Sequence, residues 1–215
     1  MVFRGTASNS NPVNPVNPVQ VNRLLLATRN SHKTREFSEI LGAGFAVRDL
    51  SGDSETPAIE ESGSTFAENA TLKAVVISKH FAGLVVADDS GLEVDALHGA
   101  PGIYSARYAG RDATDEKNIA RLLSELRKHA DERPFAARFR CVLALAREGE
   151  VLGTFEGAVA GTIVEPPRGN DGFGYDPIFQ PTSSTQTFAE LSSAEKNRIS
   201  HRARAIRLLR ANLLV

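Results

Sequence analysis

The sequence predicts an α/β fold built on a mixed sheet. Three observations carry this. Short apolar runs of strand length alternate with stretches whose apolar residues recur at helical spacing. Polar segments rich in glycine and proline separate them. Residues 135–146 and 151–164 are two long strand-like runs divided only by Arg147–Glu150, which predicts a hairpin and hence an antiparallel pair.

Residues 9–20 read NSNPVNPVNPVQ, a threefold Asn-Pro-Val repeat. Proline fixes φ and removes backbone donors, so neither helix nor central strand is expected there. Residues 1–22 therefore read as a solvated, disordered extension, without the apolar stretch of a signal peptide, ahead of a domain spanning 23–215. Residues 23–28 (RLLLAT) suit a buried strand, and 30–41 follow as a helix with Phe37, Ile40 and Leu41 on one face. A second strand is expected at 45–50 and a polar loop at 51–64.

Thr65 then opens a helix, with Glu68 at capping-box spacing and Phe66, Ala70, Ala74 and Ile77 directed to one side. LVVADD (84–89) is the next buried strand, with two acids expected at its C-terminal end. Residues 96–111 read as a loop and 115–128 as an amphipathic helix with Ile119, Leu122, Leu123 and Leu126 inward. After the hairpin, residues 165–176 are turn-rich. Ser192 and Glu195 form a second capping box before a basic helical stretch. Periodicity leaves open whether that stretch is one helix or breaks near Ser200.

Composition removes several functions. The formal net charge of −1 argues against a protein that coats nucleic acid through bulk positive charge. The single cysteine, Cys141, permits neither an intrachain disulfide nor a cysteine zinc cluster, and reads as a small buried hydrophobe. The five histidines show no HExxH spacing, and no apolar run approaches a membrane span. A cytoplasmic protein is expected.

Five segments could carry chemistry. Thr28, Arg29, Asn30, Ser31, His32 and Lys33 form a strand-to-helix turn, where free backbone N–H groups and a lysine favour an anion; many such turns bind nothing, and this one lacks the P-loop pattern. Asp88 and Asp89, followed by Ser90, end an apolar run where open α/β sheets place ligands. Adjacent carboxylates repel, and Mg²⁺ would relieve that repulsion; an Asx-turn is the bland alternative. Glu60 and Glu61 read on their own as solvated surface. Lys73 lies in an otherwise apolar helix and could simply extend to water. Phe173, Gly174, Tyr175 and Asp176 could present a ring to a planar base or form a packed turn. Lys196, His201 and Arg202 could donate to a base edge or line a solvated basic helix.

Taken together, ATRNSHKTRE, EESGSTFAENATLKA, ADDSGLEVDALHGAPGIYSARYAG, GFGYDPIF and AELSSAEKNRISHRARA resemble the motif series of the inosine/xanthosine triphosphate pyrophosphatase family, in order and spacing over residues 23–212. ADDSGL and GAPGIYSARY resemble its bacterial branch. The resemblance implies an elongated mixed sheet flanked by helices, with two lobes around a central nucleotide-binding cleft, and a homodimer. It implies Mg²⁺-dependent hydrolysis of non-standard purine triphosphates (ITP, dITP, XTP) to the monophosphate and pyrophosphate, which keeps deaminated purines out of DNA and RNA. Nucleic acid and membrane are not expected partners.

Carried over by residue, Thr28 to Lys33 would cradle the triphosphate and Lys73 would face it. Asp89 would accept a proton and hold metal with Asp88, and Glu60 or Glu61 would complete the metal site. Ser90 would contact substrate. Phe173 to Asp176 would hold the base, with Phe173 stacking, while Lys196, His201 and Arg202 read its edge. Arg29 departs from the family, where many members carry glycine, and the Asn-Pro-Val segment has no counterpart. Two other readings of the same cleft are a non-catalytic purine nucleotide sensor and a septum-type nucleotide pyrophosphatase of different base specificity.

Overall fold

A computed structural model describes residues 21–53, 56 and 59–214. The Asn-Pro-Val repeat, and with it nearly all of the expected extension, lies outside the described residues. The chain runs β1 (Asn22–Leu26), α1 (Ser31–Leu41), β2 (Phe45–Arg48), α2 (Phe66–Ser78), β3 (Leu84–Val94), α3 (Asp115–Leu126), β4 (Ala136–Arg147), β5 (Glu150–Ile163), β6 (Phe179–Pro181), α4 (Ser193–Ile199) and α5 (His201–Leu213). The strands form one six-stranded sheet in the order β2-β1-β3-β4-β5-β6. β2, β1 and β3 are parallel; β3 to β6 pair antiparallel. The mixed α/β sheet expected from the sequence is present.

Strand alternation sorts the core. Leu24, Leu26, Val86, Cys141, Leu143 and Leu145 face α1 and α5 on one side of the sheet. Val85, Ala87, Val142, Ala144 and Ala146 face Phe66, Ala70, Ala74 and Ile77 of α2 on the other. Further along the long strands, a third cluster packs Leu92, Val94, Phe139 and Val159 with Ile119, Leu122, Leu123 and Leu126 of α3. The long strands β3, β4 and β5 are therefore shared between two separately packed regions.

Local chemistry fixes several boundaries. Asn30 caps α1, its Oδ1 accepting from His32 N at 2.9 Å and Lys33 N at 3.3 Å. The capping box at Ser192 and Glu195 forms as expected. At Thr65 only half of one forms: Thr65 Oγ1 accepts from Glu68 N, but the Glu68 carboxylate turns to Ser64 N at 2.7 Å. The C-terminal stretch breaks at Ser200, which adopts φ −64°, ψ 158° and caps α5 by accepting from Ala203 N. α5 then lies so close to β5 that a Cβ at Gly157 would overlap His201 O and Ala205 N. The loop expected over 96–111 contains a short 3₁₀ turn, Gly102–Arg107.

One expectation is corrected. Asp88 and Asp89 do not end their strand; β3 continues to Val94, with Asp88 opposite Leu143, Asp89 opposite Val142 and Gly91 opposite Arg140. It is β1 that stops, at Leu26 opposite Val86. The acids thus lie just past the end of the parallel ladder, in mid-strand, where β3 has lost its β1 neighbour but keeps β4. This also excludes the Asx-turn alternative. Among the described residues, no helix is long and apolar enough to cross a membrane.

Candidate active site

The extended backbone of β3 sends Asp88 and Asp89 to opposite faces of the sheet. Two side-by-side acids sharing a cation, as expected from their adjacency in sequence, are therefore not what this strand presents. Each acid meets its own lysine.

Asp88 turns to α1 and α5. Its Oδ1 takes an ion pair from Lys33 Nζ and accepts from Ser90 Oγ at 2.8 Å. Its Oδ2 accepts from Arg202 Nε at 2.8 Å, and Cys141 Sγ lies 3.2 Å away. Burial alone would raise the pKa of Asp88, but the Arg202 and Lys33 charges outweigh it and hold the carboxyl well below its usual range. Cys141 thus has a polar contact as well as a packing role, and its thiol is pushed up, by burial first and by Asp88 second.

Asp89 turns to α2. Lys73 Nζ stands 3.3 Å from Asp89 Oδ1, 2.7 Å from Glu61 Oε1 and 2.9 Å from Asp88 O. Lys73 is tied down rather than extended to water. Glu61 also accepts from Arg107 at 2.9 Å, whereas Glu60 is exposed. Asp89 Oδ2 is buried without a partner. Burial pushes Asp89 above the usual carboxylate range, with Lys73 opposing and Glu61 adding to the rise. Neighbouring residues of one type therefore differ in opposite directions.

A cavity of about 310 Å³ opens beside Asp88, lined among others by Lys33, Ser90, Phe173, Asp176, Lys196 and Arg202. Phe173 is half-buried and stacks on His32, ring centroids 5.2 Å apart. Lys196 Nζ sits 4.8 Å from the centre of its ring. The turn carrying Phe173 is pinned twice: Asp176 Oδ2 accepts from Phe173 N at 2.9 Å, and Asp115 Oδ2 accepts from Gly174 N at 2.6 Å. Tyr175 is buried and donates to Ser105 O at 3.0 Å.

The basic C-terminal residues are not a solvated face. Lys196, His201 and Arg202 are 5%, 4% and 1% exposed. Lys196 bridges Asp176 at 2.6 Å and Glu36 at 2.9 Å. Arg202 reaches Glu36 at 2.6 Å and Ser90 at 2.7 Å besides Asp88. His201 stacks on Phe139 at 4.7 Å, and burial, then the Arg202 charge, holds it well below its ordinary value, so it is neutral. Arg29 points away from the turn, donating to Asp53 O and Thr56 O.

Sequence reasoning missed Glu36, Asn69, Arg107 and Asp115. Glu36 lies one helical turn after Lys33, and Asn69 one turn before Lys73, so i,i+3 and i,i+4 spacing from a flagged lysine was the available signal. Nothing local marked Arg107 or Asp115, because their partners are distant in sequence.

Fold and cleft together define an α/β protein shaped for a ligand with an anionic end and a planar end. The comparisons agree. The chain matches the Ham1 family over residues 24–212, and it belongs to that family. It is 51% identical over 191 residues to a dITP/XTP pyrophosphatase of Bacillus licheniformis, covering 88% of this chain and 97% of that protein. It is 50% identical to that of Bacillus subtilis, covering 86% and 93%. The solved HAM1 protein of Coxiella burnetii superposes with a TM-score of 0.80 at 42% identity, covering 90% of this chain and 99% of that one.

Proposed function

We propose that this chain hydrolyses non-standard purine nucleoside triphosphates, dITP, ITP and XTP, to the monophosphate and pyrophosphate. The observation that carries it is the unpartnered, buried Asp89 Oδ2, beside Lys73 and Glu61 in a Ham1-family fold. An orphaned carboxylate oxygen there suits a proton acceptor better than a structural contact, which argues against a non-catalytic sensor.

Water forms the new O–P bond at the α-phosphorus, the α–β bridging bond breaks, and pyrophosphate leaves. Asp89 takes the proton of the attacking water; its raised pKa makes it a better base than an ordinary aspartate. Lys33 and Lys73 donate to phosphate oxygens from the two sides of β3, each still held by its acids. Thr28, Asn30, Ser31 and His32 form the turn around the triphosphate. Asp88 keeps Lys33 and Arg202 in place, and Ser90 beside it contacts substrate. Phe173 supports the base, with Gly174, Tyr175 and Asp176 shaping its turn.

Among the described residues no three carboxylate, histidine or cysteine side chains are grouped to hold a metal alone. Asp89 and Glu61 nevertheless fit Mg²⁺, which takes one or two carboxylates and completes its shell with water and phosphates. Both oxygens of Asp88 are already engaged, whereas Asp89 keeps an unpartnered Oδ2, so we assign the metal first to Asp89, with Glu61 joining by giving up a contact to Lys73 or Arg107. When bound, Mg²⁺ would neutralise phosphate charge and acidify water.

Selectivity against ATP follows from donors of Lys196 and Arg202 facing the 6-position. A 6-keto oxygen accepts; a 6-amino group leaves a buried donor unpaired at a cost of about 1–3 kcal/mol, or roughly 5- to 150-fold. We also infer a homodimeric protein working on the cytoplasmic nucleotide pool. The test is pyrophosphate release from ITP, dITP, XTP, GTP, ATP, dUTP and dTTP with Mg²⁺. Preference for the first three supports the reading, preference for pyrimidine nucleotides supports the septum-type alternative, and binding of ITP without turnover supports the sensor.

A further inference from the structure

We propose that Asn69 is a positioning residue of the hydrolytic site: one buried side-chain amide spans the Glu61 loop and Asp89 and fixes the spacing of the two carboxylates. Asn69 is 0% exposed in α2, four residues before Lys73 and on the same face. Its Oδ1 accepts from Gly63 N at 2.8 Å, two residues beyond Glu61. A Cβ on Gly63 would come within 2.7 Å of both Asn69 Oδ1 and Glu68 Cβ, so the loop backbone rests directly on the amide.

The other end of the amide, Nδ2, is buried without a hydrogen-bond partner, as is Asp89 Oδ2. One is a donor, the other an acceptor, and Lys73, one turn further along the same face of α2, reaches Asp89 Oδ1 at 3.3 Å. Helix capping does not account for Asn69, because Thr65 already serves the N-terminus of α2. Asparagine is a poor choice inside a helix, and a buried amide with an unmet donor is costly. An amide that sets the geometry of the Glu61 and Asp89 carboxylates accounts for both costs.

This rests on the hydrolase reading, and its test separates the two. Turnover of dITP, melting temperature, and Mg²⁺ binding by calorimetry without substrate are measured for wild type, Asn69→Ala, Asn69→Asp and Gly63→Ala. Asn69→Asp keeps the acceptor for Gly63 N and loses the donor toward Asp89. Asn69→Ala is expected to lower kcat about ten- to a hundredfold with KM within about threefold, and to weaken Mg²⁺ binding. Gly63→Ala should reproduce this from the loop side, and Asn69→Asp should be as slow as Asn69→Ala. Full kcat in a folded Asn69→Asp would overturn the Asp89 half of the bridge. Variants that lose only melting temperature, with kcat and Mg²⁺ binding intact, would overturn the whole. A wild-type chain that releases no pyrophosphate overturns the hydrolase reading instead, and the Mg²⁺ titrations then decide the role of Asn69.

Discussion

Glu36→Gln removes one charge from the centre of the basic cluster and leaves the side-chain shape almost unchanged. Glu36 is 9% exposed and holds Lys196 with one oxygen and Arg202 with the other. Burial works against its ionised form, but those two cations win and bring it from 4.5 down to about 2. At about 1.36 kcal/mol per unit, this depression corresponds to roughly 3 kcal/mol of stability at neutral pH. The sign follows from the direction. A folded-state value below the unfolded one gives stability that is complete above the unfolded value of 4.5 and is lost as pH falls toward about 2. At pH 3 roughly 1.4 kcal/mol of it should remain. Urea unfolding of wild type and Glu36→Gln, from pH 7 to pH 3, measures the gap directly. A gap below about 1 kcal/mol at pH 7, or one that does not narrow by pH 3, would refute the reasoning. Lowered affinity for dITP should accompany the loss, since Lys196 and Arg202 are then free to move.

Phe173→Ala should raise KM for dITP by roughly 5- to 150-fold, the range of one base stacking on an aromatic ring, with a smaller change in kcat. Arg29→Gly removes only two exposed or half-exposed bonds to carbonyls, so unfolding should shift by less than about 1 kcal/mol while limited proteolysis of the 51–62 loop quickens. Chelation with EDTA should abolish pyrophosphate release, and added Mg²⁺ should restore it. Asp88→Asn takes from the buried Arg202 one of its two carboxylates and from Lys33 its ion pair, and should cost about 3–5 kcal/mol in thermal unfolding. Asp89→Asn should leave melting unchanged or raise it, because folding disfavours the Asp89 charge, yet lower kcat about 10²- to 10⁴-fold; equal destabilisation by both substitutions would refute the division of labour between them.

How much of this was legible beforehand depends on the range of the interaction. The inward faces of α2 and α3, the strand at LVVA and the hairpin were readable because periodicity is local. The capping box at Ser192 was likewise encoded within three residues. The end of β3 was not, since ladder length depends on a partner strand about fifty residues away. Turn-like composition at Asp88-Asp89-Ser90-Gly91 was overridden by pairing with Leu143 to Arg140. The choice between Glu60 and Glu61 needed Lys73 in three dimensions, and the roles of Lys196 and Arg202 as buried bridges needed Glu36.

Charge counting in the cleft supports the proposed metal despite so many basic residues. Lys33, Lys196 and Arg202 are matched by Asp88, Glu36 and Asp176. On the α2 side, Lys73 faces both Glu61 and Asp89, with Arg107 on the outer oxygen of Glu61. The lysines that marked the motifs are thus already neutralised by the acids that hold them. A triphosphate adds several further negative charges, and these paired residues hold no surplus of fixed cations to meet them. α1 offers its N-terminus, but the side chain of Asn30 already occupies the His32 and Lys33 amides. The Mg²⁺ proposed above would bring further positive charge with the substrate, and the buried Asp89 Oδ2 has no partner and could receive it. The overall charge of −1 is therefore repeated on a small scale inside the site, as paired charges that orient a ligand more than they attract it.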